Sequence, residues 1–149
     1  MSTQDYATIV RDMISTANER DYDRVVAAVA EDYEFVLPNG QTMRGREVLR
    51  RLLQARTTAF PDWKVEVVRV YVAEDSVAVE SLFRGTHTGL LEFFPGMRPI
   101  APTGHHVELS ICGVFEFKDG KIVRSRGYLD MAAYARLQSL GLFPQQMAA

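Results

Sequence analysis

The chain has 149 residues, of which 47% are hydrophobic, and a formal net charge of −2. That length and composition fit one domain with its own core, and the charge gives no electrostatic basis for binding nucleic acid or an anionic membrane. The single cysteine, Cys112, excludes an intramolecular disulfide and fits a reducing compartment. Met1 to Asp5 lacks the basic and apolar regions of a signal peptide, and no apolar run reaches the length of a membrane span. A cytoplasmic domain is therefore expected.

Tyr6, Ile9, Val10, Met13, Ile14 and Ala17 recur at helical spacing and predict an amphipathic first helix, with Ser2 or Thr3 as its cap. Asn18 to Arg20 interrupts the pattern. Asp21 then caps a second short helix that turns Val25, Val26 and Val29 inward. Tyr33 to Leu37 reads as a short strand ended by Pro38-Asn39-Gly40. A third helix is predicted from about Arg46 to Ala59, burying Val48, Leu49, Leu52 and Leu53, and Phe60-Pro61 ends it. Its arginines, Arg46, Arg50, Arg51 and Arg56, read as a solvated face in preference to an anion site.

Four strands follow: Trp63 to Ala73, Ser76 to Phe83, His106 to Phe117 and Lys121 to Leu129. Glu74-Asp75 and Asp119-Gly120 serve as tight turns. Met131 to Leu140 returns to helical spacing, with Gly141 as its terminator. The order α-α-β-α-β-β-β-β-α predicts an α+β fold. A curved antiparallel sheet would wrap the helices and leave a pocket between the layers.

The residues with chemistry concentrate between Arg84 and Asp130. Gly85-Thr86-His87-Thr88-Gly89 comes first, then Pro102-Thr103-Gly104, then Asp119-Gly120-Lys121-Ile122-Val123. His87 shares a strand face with Ser81, Phe83 and Gly85, and Arg126, Tyr128 and Asp130 share a face of the last strand. By position alone Asp130 is a helix cap, since it stands directly before Met131. His105 and His106 point to opposite faces and cannot chelate one metal together. A His87/His106/Glu108 metal set would need a register that the sequence does not fix.

These motifs and Asp130 resemble the SnoaL-like polyketide (ester) cyclases of the NTF2-like superfamily. The resemblance spans nearly the whole chain at the level of fold and about Arg84 to Gly141 at the level of motif. It implies a cone-shaped α+β barrel with a deep apolar pocket, a homodimer through the outer sheet face, and acid/base chemistry without cofactor or metal. The type reaction is an intramolecular aldol ring closure. Asp130 matches the family's acid/base aspartate and His87 the histidine near the substrate. The expected substrate is a small, mostly apolar carbonyl compound, with Trp63, Phe83, Phe93, Phe94, Arg126 and Tyr128 as candidate binding residues.

Three departures stand out. Ser125 and Arg126 occupy the positions of a common His-Trp pair, and Glu80 stands where an arginine is often found. The connection from Leu90 to Ala101 is long and hydrophobic. It is expected to close over the pocket mouth, with Phe93 or Phe94 at the entrance, or to pack against a partner subunit. The missing pair leaves a non-catalytic ligand-binding domain as the alternative. An epoxide-hydrolase-like enzyme is weaker, since only Arg126 and Asp130 supply part of its Asp-Arg-Asp set. A ketosteroid-isomerase-like site is rejected, because it wants a tyrosine near Met13 and an aspartate near Leu37.

Overall fold

The computed structural model describes residues 3–37, 40–92 and 98–130, together with Ala132, Ala135 and Ser139, which are helical. Helix α1 (Thr3–Asn18) turns Val10 and Ala17 fully inward and leaves Asp5, Arg11 and Asp12 in solvent. Helix α2 (Tyr22–Ala27) is capped as expected, the Asp21 carboxylate accepting from the Arg24 amide. It stops at Ala28, so Val29 opens a strand instead of closing the helix. That β-branched residue pairs with Ile122 across the sheet. Strand β1 (Val29–Val36) thus starts four residues before the predicted one. A short strand, β2 (Thr42–Arg44), pairs back onto it and was not anticipated.

Helix α3 (Arg46–Ala59) has the predicted bounds, and β3 (Lys64–Ala73), β4 (Ser76–Thr86), β5 (His106–Lys118) and β6 (Lys121–Leu129) form the predicted meander. Asp119 and Gly120, at φ 53° and 79°, form the β5–β6 turn, a double left-handed conformation that Asp-Gly favours. The sheet order is β2-β1-β6-β5-β4-β3. The expectation of a purely antiparallel sheet needs correction: β1 runs parallel to β6, so the sheet is mixed. Beginning at Val29 gives β1 enough length to reach Ile122 at one end and Arg126 at the other.

Register shifts in β3 at Val67 to Arg69 and between β5 and β6 at Glu116 to Phe117 add local twist to the sheet. The helices pack on one face. The apolar core has two parts, one around Phe60, Trp63, Phe83 and Leu109 and one around Val10, Tyr33, Val79 and Phe117. Tyr6 stacks on Phe117 with ring centroids 4.3 Å apart, joining α1 to the second part. No helix among the described residues is long and apolar enough to cross a membrane.

Candidate functional site

Between the helices and the inner sheet face lies a cavity of about 310 Å³. Met13, Leu49 and Leu53 line it from the helices, and Phe83, Leu109 and Ile111 line it from the sheet. The strand period decides which residues reach it. On β6, Ser125, Gly127 and Leu129 face inward, opposite Phe115, Gly113 and Ile111 of β5. Tyr33 and Phe35 of β1, and Leu37 just beyond its end, do the same.

The polar groups on this wall are few. The Tyr33 hydroxyl hydrogen-bonds the Ser125 hydroxyl, tying β1 to β6 inside the cavity. Burial pushes the Tyr33 phenol up to about 12, against the opposing pull of the Ser125 hydrogen bond, so it stays protonated at neutral pH. Ser81 donates to the Ile111 carbonyl at 3.3 Å. Arg56 lies over the rings of Trp63 and Phe83, its guanidinium carbon 4.9 and 5.6 Å from their centroids. Burial pushes the Arg56 guanidinium down to about 10, with the neighbouring Arg20 charge acting in the same direction and Tyr22 opposing. It remains a cation at pH 7.

Of the expected binding set, Trp63 and Phe83 stand in the cavity wall. Arg126 borders the cavity, while its Nη1 lies 4.0 Å from the Glu116 carboxylate. Tyr128 and Asp130 require a correction of placement. They share a face, as predicted, but it is the outer one, because Leu129 between them points inward. Tyr128 is 56% exposed. Together with Val68, Glu80, Ser110 and Cys112, Tyr128 and Asp130 border a shallow outer depression. The Asp130 carboxylate accepts from the Ala132 amide at 2.9 Å, the geometry of a helix cap. Phe93 and Phe94 lie outside the described residues.

His87 does turn inward with Ser81, Phe83 and Gly85, yet it is not part of the cavity wall. Phe60 comes between them, packing on Gly85 and lying 5.3 Å from the imidazole. His87 is fully buried. Its Nδ1 accepts from the Thr103 amide at 3.2 Å, with the Thr103 hydroxyl at 3.0 Å, which assigns the ring proton to Nε2. That Nε2 has no partner among the described residues. Burial holds the imidazole below its ordinary 6.5, with the Gly89 backbone opposing, so it is neutral.

The two glycine-rich motifs meet here. Thr86 donates both its amide and its hydroxyl to Asp62 at 2.7 Å. Thr88 and Gly89 donate to the Ala59 carbonyl, and Gly104 donates to the His87 carbonyl. His106 and Glu108 turn outward, away from His87, and lie 3.8 Å from each other. The described ends of the Leu90–Ala101 connection are pinned by paired backbone hydrogen bonds between Leu91 and Ile100, with Leu91 fully buried in the Phe60 cluster.

Tyr33, Ser81, Ser125 and Arg56 are polar residues of the cavity wall outside the expected binding set, and Arg56 belongs to the arginines expected to form a solvated face. Arg56 carried a usable signal. It follows Leu52 and Leu53 by four and three residues, on the stripe that the helix buries.

The helices, the curved mixed sheet and the apolar cavity between them define an α+β protein of NTF2-like architecture. The chain belongs to the SnoaL-like polyketide cyclase family, whose sequence profile matches residues 7–137. No curated protein matches it. Among solved structures it is similar to AclR, a hydroxylase candidate from Streptomyces galilaeus, with 25% identity, a TM-score of 0.75, and coverage of 97% of this chain and 89% of that one. A SnoaL-like polyketide cyclase candidate from Jannaschia sp. CCS1 aligns at 19% identity and TM-score 0.78, over 93% of this chain and 92% of that one. IdmH, a polyketide cyclase candidate from Streptomyces antibioticus, aligns at 23% identity and TM-score 0.71, over 89% and 97%. At such identities the last two likenesses concern the fold.

Proposed function

We propose that this chain binds a small, mostly apolar organic molecule in the inner cavity, as a ligand-binding member of its family. The observation that carries this reading is the wall itself. It is almost wholly apolar, and no aspartate, glutamate or histidine lines it among the described residues. A site of that composition gains affinity by burying ligand surface and specificity from a few polar groups. The family resemblance places a histidine where Ser125 stands. Ser125 does face the cavity, so the exchange removes a potential base from the wall and leaves a hydroxyl held by Tyr33.

A second reading is an acid/base enzyme acting on a small apolar carbonyl compound, with Asp130 as proton shuttle and His87 in support. Membership of a polyketide cyclase family favours it. So does Tyr33, a protonated phenol in an apolar wall, which can donate to a developing enolate oxygen. The epoxide-hydrolase-like arrangement has less support, since the acidic neighbour of Arg126 is Glu116 on the outer face.

One experiment separates the two main readings. Hydrogen–deuterium exchange at the central carbon of a small 1,3-diketone is followed by NMR with the wild type and Asp130→Asn. Ligand binding detected by chemical-shift changes, with no accelerated exchange, supports the binding reading. Exchange accelerated by the wild type and lost in Asp130→Asn would overturn it in favour of the enzyme.

A further inference from the structure

We propose that the cavity is built for an anionic ligand, an apolar molecule carrying one carboxylate that pairs with the Arg56 guanidinium. The proposal deepens the ligand-binding reading above and rests on it. Arg56 reaches the cavity from the last two turns of α3, on the same stripe as Leu49, Leu52 and Leu53. All 19 aspartates and glutamates of the chain lie among the described residues. Each cation in a folded protein normally meets such a group when it leaves bulk water. Arg50, one and a half turns earlier on the same helix, pairs with Asp23 and Glu47. Arg56 pairs with none of the acidic residues, and no oxygen among the described residues accepts from it.

Arg20 provides the internal comparison. It too lies over Trp63, with its guanidinium 4.2 Å from the ring centroid. Yet it is a structural strut, donating to the carbonyls of Asn18, Pro61 and Trp63. Two guanidinium groups therefore share one indole, and only one of them has its donors occupied. Arg56 is half-buried, and the aromatic faces and the negative end of α3 offset part of the cost of that burial. Neither offers the in-plane oxygens that a guanidinium fork fits. A carboxylate entering the cavity supplies them, and its apolar remainder would lie against Leu49, Phe83 and Leu109.

Trp63, the chain's one tryptophan, stands at this point and gives a fluorescence signal for occupancy. The test compares 3-phenylpropanoate and heptanoate, both ionised at pH 7, with their neutral amides, using calorimetry for affinity and Trp63 fluorescence for location. The wild type should bind each carboxylate at least about tenfold more tightly than its amide, the scale of one charge-assisted pair. Arg56→Gln should lose that preference while its affinity for the amides stays within about threefold. Arg56→Lys should keep part of the preference, since the charge remains.

Equal affinity of acid and amide for the wild type would overturn the anion proposal and leave the binding cavity standing. So would a preference that survives in Arg56→Gln. If no member of either series binds the wild type, the ligand-binding reading falls as well. The wild-type comparison decides the matter even where Arg56→Gln fails to fold.

Discussion

Gly89 lies so close to Thr58 that a Cβ on Gly89 would sit 1.8 Å from the Thr58 carbonyl oxygen. The contact seats the segment after β4 on the last turn of α3, where Thr88 and Gly89 both donate to Ala59 at 3.1 Å. Gly85, at the other end of the same motif, lies beneath Phe60. The pattern Gly85-Thr86-His87-Thr88-Gly89 is thus a clasp between sheet and helix. Its glycines are needed for close approach and not for an unusual φ, since neither carries a positive one.

The two glycines should tolerate a methyl group differently. At Gly85 the added Cβ meets the Phe60 side chain at 3.0 Å, and a small rotation of the ring relieves it. At Gly89 it meets backbone, which cannot yield without parting α3 from the loop. Gly85→Ala should therefore cost about 1–2 kcal/mol, and Gly89→Ala clearly more, about 3 kcal/mol or above. Urea unfolding curves of the two variants read the difference. Equal costs would mean that the loop moves as freely as the ring.

His87 should make the protein acid-sensitive. Its folded-state pKa lies below the ordinary 6.5, so the unfolded chain takes up a proton that the folded chain resists. Stability is then present above pH 6.5 and lost as pH falls toward the folded value. His87→Gln, which has no proton to gain, should show a flatter profile below that pH, even if it is less stable at pH 7. Thermal melts of both proteins from pH 7.5 to 5 provide the measurement. Parallel profiles would show that other groups govern the acid limb.

Much of the fold could be read from periodicity. The bounds of α3 and β6 follow from apolar spacing at 3.6 and at 2 residues, and Asp119-Gly120 marks the turn of the β5–β6 hairpin without ambiguity. The parallel pairing of β1 with β6 was not legible, because Val29 to Asp32 lacks strict alternation and follows a helix with only Ala28 between. The site was harder still. The face shared by Arg126, Tyr128 and Asp130 follows from the strand period, but which side of the sheet it occupies depends on where the helices pack. Motif residues were conspicuous because glycine marks turns and close backbone approach and histidine carries chemistry. Arg56 looked ordinary because charged residues at the end of a helix normally face water.

Asn18 offers a test of how the first helix joins the sheet. Its side chain donates Nδ2 to the Val65 carbonyl and accepts the Val65 amide on Oδ1, both at 2.8 Å. It behaves like one residue of a neighbouring strand, satisfying β3 at the edge of the sheet. Asn18→Ala strands both Val65 groups and should cost about 2 kcal/mol. Asn18→Asp keeps the acceptor but sets a carboxylate against a carbonyl, so it should rescue little. Hydrogen exchange at the Val65 amide should quicken in Asn18→Ala, which removes its acceptor, if this contact holds the edge. An unchanged rate would place the protection elsewhere.

The pair formed by Tyr33 and Ser125 carries the last prediction. At neutral pH Tyr33→Phe leaves the buried Ser125 hydroxyl without its partner, which should cost about 1–2 kcal/mol. Replacing both, as Tyr33→Phe with Ser125→Ala, should cost less than the two single changes added together, since no polar group is then left unpaired. At high pH the sign reverses for the wild type. The folded chain holds the Tyr33 proton until about pH 12, whereas the unfolded chain releases it near pH 10.0. Stability tied to this group is complete below pH 10 and falls as the pH climbs toward 12, by on the order of 3 kcal/mol. The stability advantage of wild type over Tyr33→Phe should therefore shrink or invert across that interval. Unfolding free energies measured at pH 8, 10 and 11.5 check it, and an advantage that stays constant would mean that the phenol meets water in the folded protein.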